Sequence, residues 1–201
     1  MVSQNAKKFS NNPDFVSDAF DTVDNAASDI SRLLEQLRNK RAQGERLEEV
    51  DLTEVIQQVV ASKQHARPEP LFQADIEAAM VLIDRSRLSN VLAHLIDNAQ
   101  QATDDEGEIT VRQSVSPDYV EIEISDTGHG MDDDFMRNRL FKPFDTTKGN
   151  AGMGVGMYES REFIRQIGGD ILVSSKPGKG SIITLQIPLV SSDDEGEQEN
   201  Q

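Results

Sequence analysis

The chain has 201 residues, with 20 Lys and Arg against 36 Asp and Glu and a formal net charge of −16. So acidic a balance argues against sequence-independent binding of duplex DNA or of an anionic membrane, since both need a basic face; the absence of Cys excludes disulfides, thiolate nucleophiles and Cys-ligated zinc. No apolar run approaches a bilayer span and no charged-then-apolar leader opens the sequence, so it reads as a cytoplasmic globular protein, long enough for one core and an added helical element.

Residues 1–45 are polar and helical in pattern. Val16, Phe20, Val23, Ala27, Ile30, Leu34 and Leu37 follow one another at alternating steps of four and three, the heptad seam of a helix packed lengthwise on others. Asn12, Pro13 and Asp14 mark a helix start, with Asn12 as N-cap and Pro13 in the first turn. The preceding Val2–Phe9 reads as the end of an earlier helix. A two-helix hairpin cannot bury both faces, so the seam packs either on a second copy or on the chain's own globular domain.

From Leu47 the pattern becomes mixed. Leu47 to Leu52 reads as a short strand, and Asp51 or Thr53 would cap a helix running to about His65, which Arg67-Pro-Glu-Pro70 breaks. Short strands are expected near Leu71–Gln73 and Met80–Ile83. Arg85 to Ala102 has the strongest helical period, with Leu88, Val91, Leu92, Leu95, Ile96 and Ala99 on one side. Ile109–Val115 and Tyr119–Ser125 alternate like antiparallel strands around the turn Ser116-Pro117-Asp118. Residues 126–153 read as a long loop rich in Gly, Asp, Asn and Lys, the composition of a lid. Val155 to Ile167 is helical and ends at Gly168-Gly169. Strands at Ile171–Ser174 and Ser181–Leu189 close the fold around Lys176-Pro-Gly-Lys-Gly180. The terminal Ser191–Gln201 carries five acids and no large apolar side chain, the composition of a disordered, solubilising tail.

Four local features carry chemistry. His94 and Asn98 stand four apart on the central helix, so both lie on one face, and the Asn98 carbonyl suits a hard cation such as Mg²⁺. Read alone, this Asn is an ordinary helix polar group. Asp126-Thr-Gly128-His-Gly130-Met131 follows a strand; its carboxylate can accept from an amino group, and its glycines let a planar ring approach the backbone. Leu140-Phe-Lys-Pro-Phe144-Asp-Thr-Thr147-Lys148-Gly149 combines aromatic anchors with Thr and Lys able to meet a polyphosphate. Gly152-Met-Gly154-Val-Gly156 opens a helix, a backbone anion site. It is neither the dinucleotide fingerprint nor a Walker A loop, because the strand before the first and the Gly-Lys-Ser/Thr of the second are missing.

In this order and spacing the features resemble the GHKL superfamily of ATP-binding domains and, within it, the sensor histidine kinases: HLIDNA at 94–99 as N box, DTGHGM at 126–131 as G1, LFKPFDTTKG at 140–149 as F, and GMGVGM at 152–157 as G2. KPGKGS at 176–181, followed by ITLQIPL, is similar to the family's last glycine turn and closing strand. The wording FKPFDTTKGNAGMGVGMY is similar to kinases of PEP-CTERM surface-protein systems. The resemblance covers residues 47–190.

It implies an α+β chain whose two-layer α/β sandwich, the Bergerat fold, holds ATP and Mg²⁺ between helices and a mobile lid. By residue, it implies Asn98 as Mg²⁺ ligand, Asp126 on the adenine amino group, and Gly128 and Gly130 shaping that pocket. Phe141 and Phe144 would anchor the lid, Lys148 would approach the phosphates, and Gly152, Gly154 and Gly156 would wrap the triphosphate. Ser181 stands near the adenine Asp where the family usually has Thr. Gln101, Ala102, Met131, Thr146, Thr147, Met153 and Val155 complete the implied nucleotide-binding set. ATPase branches carry a Glu general base four residues before the Asn; here that position is His94, which favours phosphoryl transfer over hydrolysis.

The implied organisation is a partial dimerisation hairpin at 1–45, a catalytic domain at 46–190 and an acidic tail at 191–201. Its implied partners are ATP, a response-regulator receiver domain and a second copy through the hairpin, with a membrane reached only through a segment absent from this chain. The acceptor motif of the dimerisation helix is missing. His65, His94 and His129 are the three histidines, and all lie in the ATP-binding domain. The expectation is therefore a kinase domain, from a fragment or a natural truncation, that phosphorylates a His supplied in trans or by a missing segment. The alternative is a non-catalytic nucleotide-binding regulator. A Ser kinase of the anti-sigma type shares the fold but usually lacks the heptad hairpin.

Overall fold

A computed structural model describes residues 46–75, 78–143 and 154–189. The heptad segment, residues 144–153 of the expected lid and the acidic tail lie outside these residues. The elements in chain order are β1 (Glu48–Asp51), α1 (Leu52–Lys63), β2 (Pro70–Ala74), β3 (Met80–Ile83), α2 (Arg85–Ala102), β4 (Ile109–Val115), β5 (Tyr119–Asp126), α3 (Asp133–Asn138), α4 (Gly156–Gln166), β6 (Asp170–Lys176) and β7 (Gly180–Pro188). Five strands form one sheet in the order β2-β4-β5-β7-β6, with β2 parallel to β4 and the other pairs antiparallel. β1 and β3 make a separate antiparallel pair.

Helices α1, α2 and α4 cover one face of the sheet. Along β5, Val120, Ile122 and Ile124 are buried, whereas Glu121, Glu123 and Ser125 between them are only partly covered, the alternation of a sheet with one packed face. The apolar stripe of α2 is Leu88, Val91, Leu92, Leu95, Ile96 and Ala99, all buried. It lies in the same core as Val55, Ile56 and Val59 of α1 and Phe163 and Ile164 of α4. This is the sheet-on-helices layering of the expected sandwich.

Local signals fix the helix ends. Asp51 accepts from Thr53 N–H at 2.9 Å and Asp84 accepts from Arg87 N–H at 2.9 Å, the N-caps of α1 and α2. At the other end of α1, the Gln100 amide donates to the carbonyls of Lys63, Ala66 and Pro68 at 3.0–3.2 Å. One side chain of α2 thus ties down carbonyls at the end of α1 and in the turn that follows it.

The stretch 126–153 is not loop throughout, because α3 lies within it. Asp132 caps that helix on Phe135 N–H at 2.7 Å, Asp133 and Asp134 fill its first turn and Arg137 its last. This single turn and a half buries none of its residues, so it has no apolar period by which a sequence could announce it.

Gln113 interrupts the packed face of β4. It stands in phase with buried Ile109 and Val111, is itself 0% exposed, and neither of its amide atoms has a hydrogen-bond partner among the described residues. An unsatisfied buried amide costs roughly 1–3 kcal/mol. Gln113→Met, which keeps volume and removes the polar atoms, is expected to raise the thermal midpoint by several degrees. A circular-dichroism melt in which the midpoint falls instead would contradict this account.

Candidate functional site

The end of β5 sets the floor of the site. Asp126 is 7% exposed, and its Oδ1 accepts from Gly128 N–H at 2.9 Å and from Ser181 N–H at 3.2 Å. The first contact is a tight turn within the DTG segment. The second arises from sheet register, which sets Asp126 opposite Ser181 on β7. Two backbone donors therefore fix how this carboxylate is turned.

The segment after Asp126 lies directly on main chain. A side chain at Gly128 would run into the carbonyl of Ala102 at the end of α2, and one at Gly130 into the carbonyl of Lys176. His129 N–H donates to the same Ala102 carbonyl at 3.0 Å, and Gly178 N–H donates to the His129 carbonyl at 2.7 Å. Met131 N–H donates to Ser175 Oγ at 2.8 Å; Ser175 Oγ donates to the Gly180 carbonyl at 2.9 Å and lies 3.1 Å from Ser181 Oγ. Main chain from α2, β5 and the β6–β7 turn thus meets around one buried acid.

On α2, one turn before Ala102, Asn98 Nδ2 lies 2.9 Å from His94 Nε2. The i, i+4 spacing has brought the two together as helix geometry requires. The imidazole occupies the space that a side chain at Gly156, the first residue of α4, would take. Val155 at the α4 N-cap makes no side-chain cap hydrogen bond, and the opening N–H groups of an α-helix have no partner within the helix itself.

The family model for histidine kinase-, DNA gyrase B- and HSP90-like ATPases matches residues 83–191, more than half of the chain. The chain belongs to this family. FixL, a sensor protein of Bradyrhizobium diazoefficiens, is 32% identical over 181 residues, which cover 86% of this chain and 35% of FixL. The sensor histidine kinase ZraS of Escherichia coli K12 is 35% identical over 164 residues, covering 80% of this chain and 34% of ZraS. This chain thus spans about a third of the length of both relatives. Among solved structures, the mycobacterial sensor histidine kinase MprB superposes with a TM-score of 0.62 at 26% identity, over 71% of this chain and 97% of that one. The catalytic domain of histidine kinase ThkA gives 0.63 at 26% identity over 72% of this chain and 96% of that one. The fold of this ATPase-family domain is therefore that of histidine kinase catalytic domains.

Within this family domain, one continuous set of contacts joins Ala102, Asp126, Gly128, Gly130, Met131 and Ser181, and a second joins His94, Asn98 and Gly156. Gln101 is exposed on α2, Gly154 precedes α4 with φ +63°, and Val155 is buried. Phe144, Thr146, Thr147, Lys148, Gly152 and Met153 lie outside the described residues. Sequence reasoning passed over Ser175, whose hydroxyl joins three parts of the floor. Its signal was faint: a Ser in β6 that faces Ser181 in the ladder. Among the described residues no helix is long and apolar enough to cross a membrane.

Phe141, the first aromatic of the F box, is held from α4. The Arg161 guanidinium lies over its ring at 4.3 Å, a cation–π contact. Arg161 and Arg165 both grip Asp170 at the start of β6, at 2.8–3.2 Å, and Ile171 N–H adds a further donor. The Arg161 hydrogen bond above all, then those of Arg165 and Ile171, hold the Asp170 carboxyl well below the ordinary carboxylate range against the opposing effect of burial. A carboxylate depressed in the folded state stabilises at pH above its unfolded value and loses that contribution as pH falls below about 4. Asp170→Asn is expected to lose less stability than the parent between pH 5 and pH 3, read as urea midpoints. Parallel acid limbs would exclude Asp170 as a source of the parent's acid sensitivity.

Proposed function

We propose that this chain is the ATP–Mg²⁺-binding catalytic domain of a two-component sensor histidine kinase. It transfers the γ-phosphoryl group to a His supplied in trans or by a segment outside this sequence. The observation that carries the reading is the buried Asp126 carboxylate, oriented by two backbone N–H groups beside closely packed glycine backbone. Such an acceptor suits a purine amino group and the flat ring attached to it.

The groups present fit the nucleotide and its metal. Asp126 would accept from the adenine amino group, with Gly128 and Gly130 leaving room for the ring and Ser181 fixing the acid from the far strand. The α4 N–H groups behind Gly154 and Gly156 suit phosphate oxygens. Asn98 offers a neutral oxygen of the kind Mg²⁺ accepts, and bound Mg²⁺ neutralises phosphate charge as it develops during transfer. Gln101, Met131, Phe144, Thr146, Thr147, Lys148, Gly152 and Met153 complete the proposed nucleotide-binding set. In the transfer, an acceptor imidazole nitrogen bonds to Pγ and the Pγ–O bond to the β-phosphate breaks. The electron pair leaves with ADP and the imidazole proton passes to solvent.

His94 supports transfer over hydrolysis. The ATPase branches carry a Glu general base at this position, whereas here an imidazole lies 2.9 Å from Asn98 Nδ2. The proposed organisation keeps residues 1–45 as part of a dimerisation hairpin, 46–190 as the catalytic domain and 191–201 as a tail. A response-regulator receiver domain is the proposed downstream partner, and the cytoplasm the proposed location.

The test incubates the chain with γ-labelled ATP and Mg²⁺, alone and with a histidine kinase that retains its acceptor His but lacks its own N-box Asn. Acid-labile label on the second protein only is the expected result. Label on this chain alone would overturn the in-trans requirement. Nucleotide binding without transfer to any acceptor would favour the non-catalytic regulator.

A further inference from the structure

The peptide between Gly180 and Ser181 is held at both ends by side chains of the neighbouring strands. Its N–H, from Ser181, donates to Asp126 Oδ1 at 3.2 Å. Its C=O, from Gly180, accepts from Ser175 Oγ at 2.9 Å. Strand β7 lies between β5 and β6, so the two bonds leave the peptide on opposite sides, as a planar trans unit requires.

The polarity of these contacts is set by backbone groups alone. A carbonyl can only accept, so the Ser175 proton points at Gly180; the Met131 N–H can only donate, and reaches the same Oγ at 2.8 Å. One acceptor and one donor therefore lock the hydroxyl in rotation. Because the peptide is rigid, holding its carbonyl from β6 also sets the direction of its N–H toward β5. Hydrogen bonds in series polarise one another, so the Ser175 donation strengthens the longer of the two bonds on the acid. Both of those bonds fall on Oδ1, at 2.9 Å from Gly128 N–H and 3.2 Å from Ser181 N–H. Among the described residues Oδ2 takes no donor.

We propose that Ser175 is a positioning residue for base recognition: through the Gly180–Ser181 peptide it holds the Asp126 carboxylate so that Oδ2 meets the amino group of a purine. The proposal rests on the nucleotide-binding reading of this site and gives Ser175 no contact with the ligand. A hydroxyl on the edge strand β6 thus acts on selectivity from behind the acid. A residue that only stapled the β6–β7 turn would, when lost, weaken every nucleotide alike. An orienting residue, when lost, weakens only those that carry the amino group.

The test titrates the full chain, in Mg²⁺, with ATP and with purine riboside triphosphate, which lacks only the amino group. The parent should prefer ATP by about tenfold or more, the level of a hydrogen bond to a charged acceptor. Ser175→Ala should lose about fivefold of that preference, with its affinity for purine riboside triphosphate within about twofold of the parent's. The second value also shows that the variant folds. Ser175→Cys, of similar bulk but with only a weak S–H donor, should shift the ratio the same way and serves if the alanine variant does not fold. Ser175→Thr keeps the hydroxyl on a side chain suited to a strand and should retain most of the preference. In an Asp126→Ala background the preference should be gone already, and Ser175→Ala should change it no further. An unchanged ratio in whichever of the Ala and Cys variants folds, or a loss in Ser175→Thr equal to theirs, overturns the proposal. A further drop when Ser175→Ala is added to Asp126→Ala overturns it too. A parent that binds neither triphosphate, or both equally, instead removes Asp126 as the base acceptor and the proposal with it.

Discussion

Asp126→Asn is expected to weaken ATP binding about a hundredfold while leaving the fold in place. Gly128 N–H and Ser181 N–H both point at Oδ1, so the substituted amide must keep its oxygen there and turn its N–H₂ outward. An adenine amino group would then face a donor where it had an acceptor. A hydrogen bond to a charged group contributes roughly 1.5–3 kcal/mol, and an unpaired donor in a closed site costs a similar amount. Two such effects easily reach 2.7 kcal/mol, the hundredfold level. Guanine carries a carbonyl where adenine carries its amino group, so the preference for ATP over GTP should shrink or invert in the same variant. Titration calorimetry with both nucleotides, beside a thermal melt, separates recognition from folding. An ATP affinity within about threefold of the parent, in a folded protein, would remove Asp126 from base recognition.

Gly180→Ala is expected to be the most damaging small substitution in the β6–β7 turn, lowering stability by about 3 kcal/mol and the thermal midpoint by roughly 10 °C. Gly180 has φ +92°, and a Cβ there would strike the Asp126 carbonyl and come within 2.9 Å of Thr127 Cα. Both neighbours are backbone, so neither yields by changing a rotamer. The control stands two residues away. Gly178 has φ +70° and nothing within 4 Å of its absent Cβ, so Gly178→Ala carries the conformational penalty alone, about 1 kcal/mol. Equal effects from the two substitutions would mean that the packing against β5 contributes nothing. Because the displaced group is Asp126, Gly180→Ala should also weaken nucleotide binding beyond its effect on folding.

Much of this domain was legible because its elements have strong periods. The stripe on α2 and the alternation in β4 and β5 fixed those boundaries to within a residue, and the observed β1, β2, β3, α1, α4, β6 and β7 lie within two residues of the expected bounds. The pairing of β1 with β3 was not legible, since four-residue strands carry no record of their partner. The six-residue α3 escaped because it buries nothing. At the site, the His94–Asn98 contact followed from helix spacing, and the likeness to a known family pointed to Asp126 with Ser181. The fit of His94 against Gly156 was hidden, because it depends on how two helices lie together rather than on either motif. Ser175 was hidden for a similar reason: its place in the floor is a matter of strand register.

The floor around Asp126 is made where peptide planes touch peptide planes, at Gly128 on Ala102, Gly130 on Lys176 and Gly180 on Asp126. Such a surface has few adjustable parts. If this floor holds the base as proposed, a protein engineer could not recontour it gradually with larger or smaller side chains, because the glycines admit none. The available handles are the Asp126 carboxylate and the hydroxyls of Ser175 and Ser181 behind it. On the proposed nucleotide reading, base preference would be concentrated in these few positions, because the glycines between them admit no side chain.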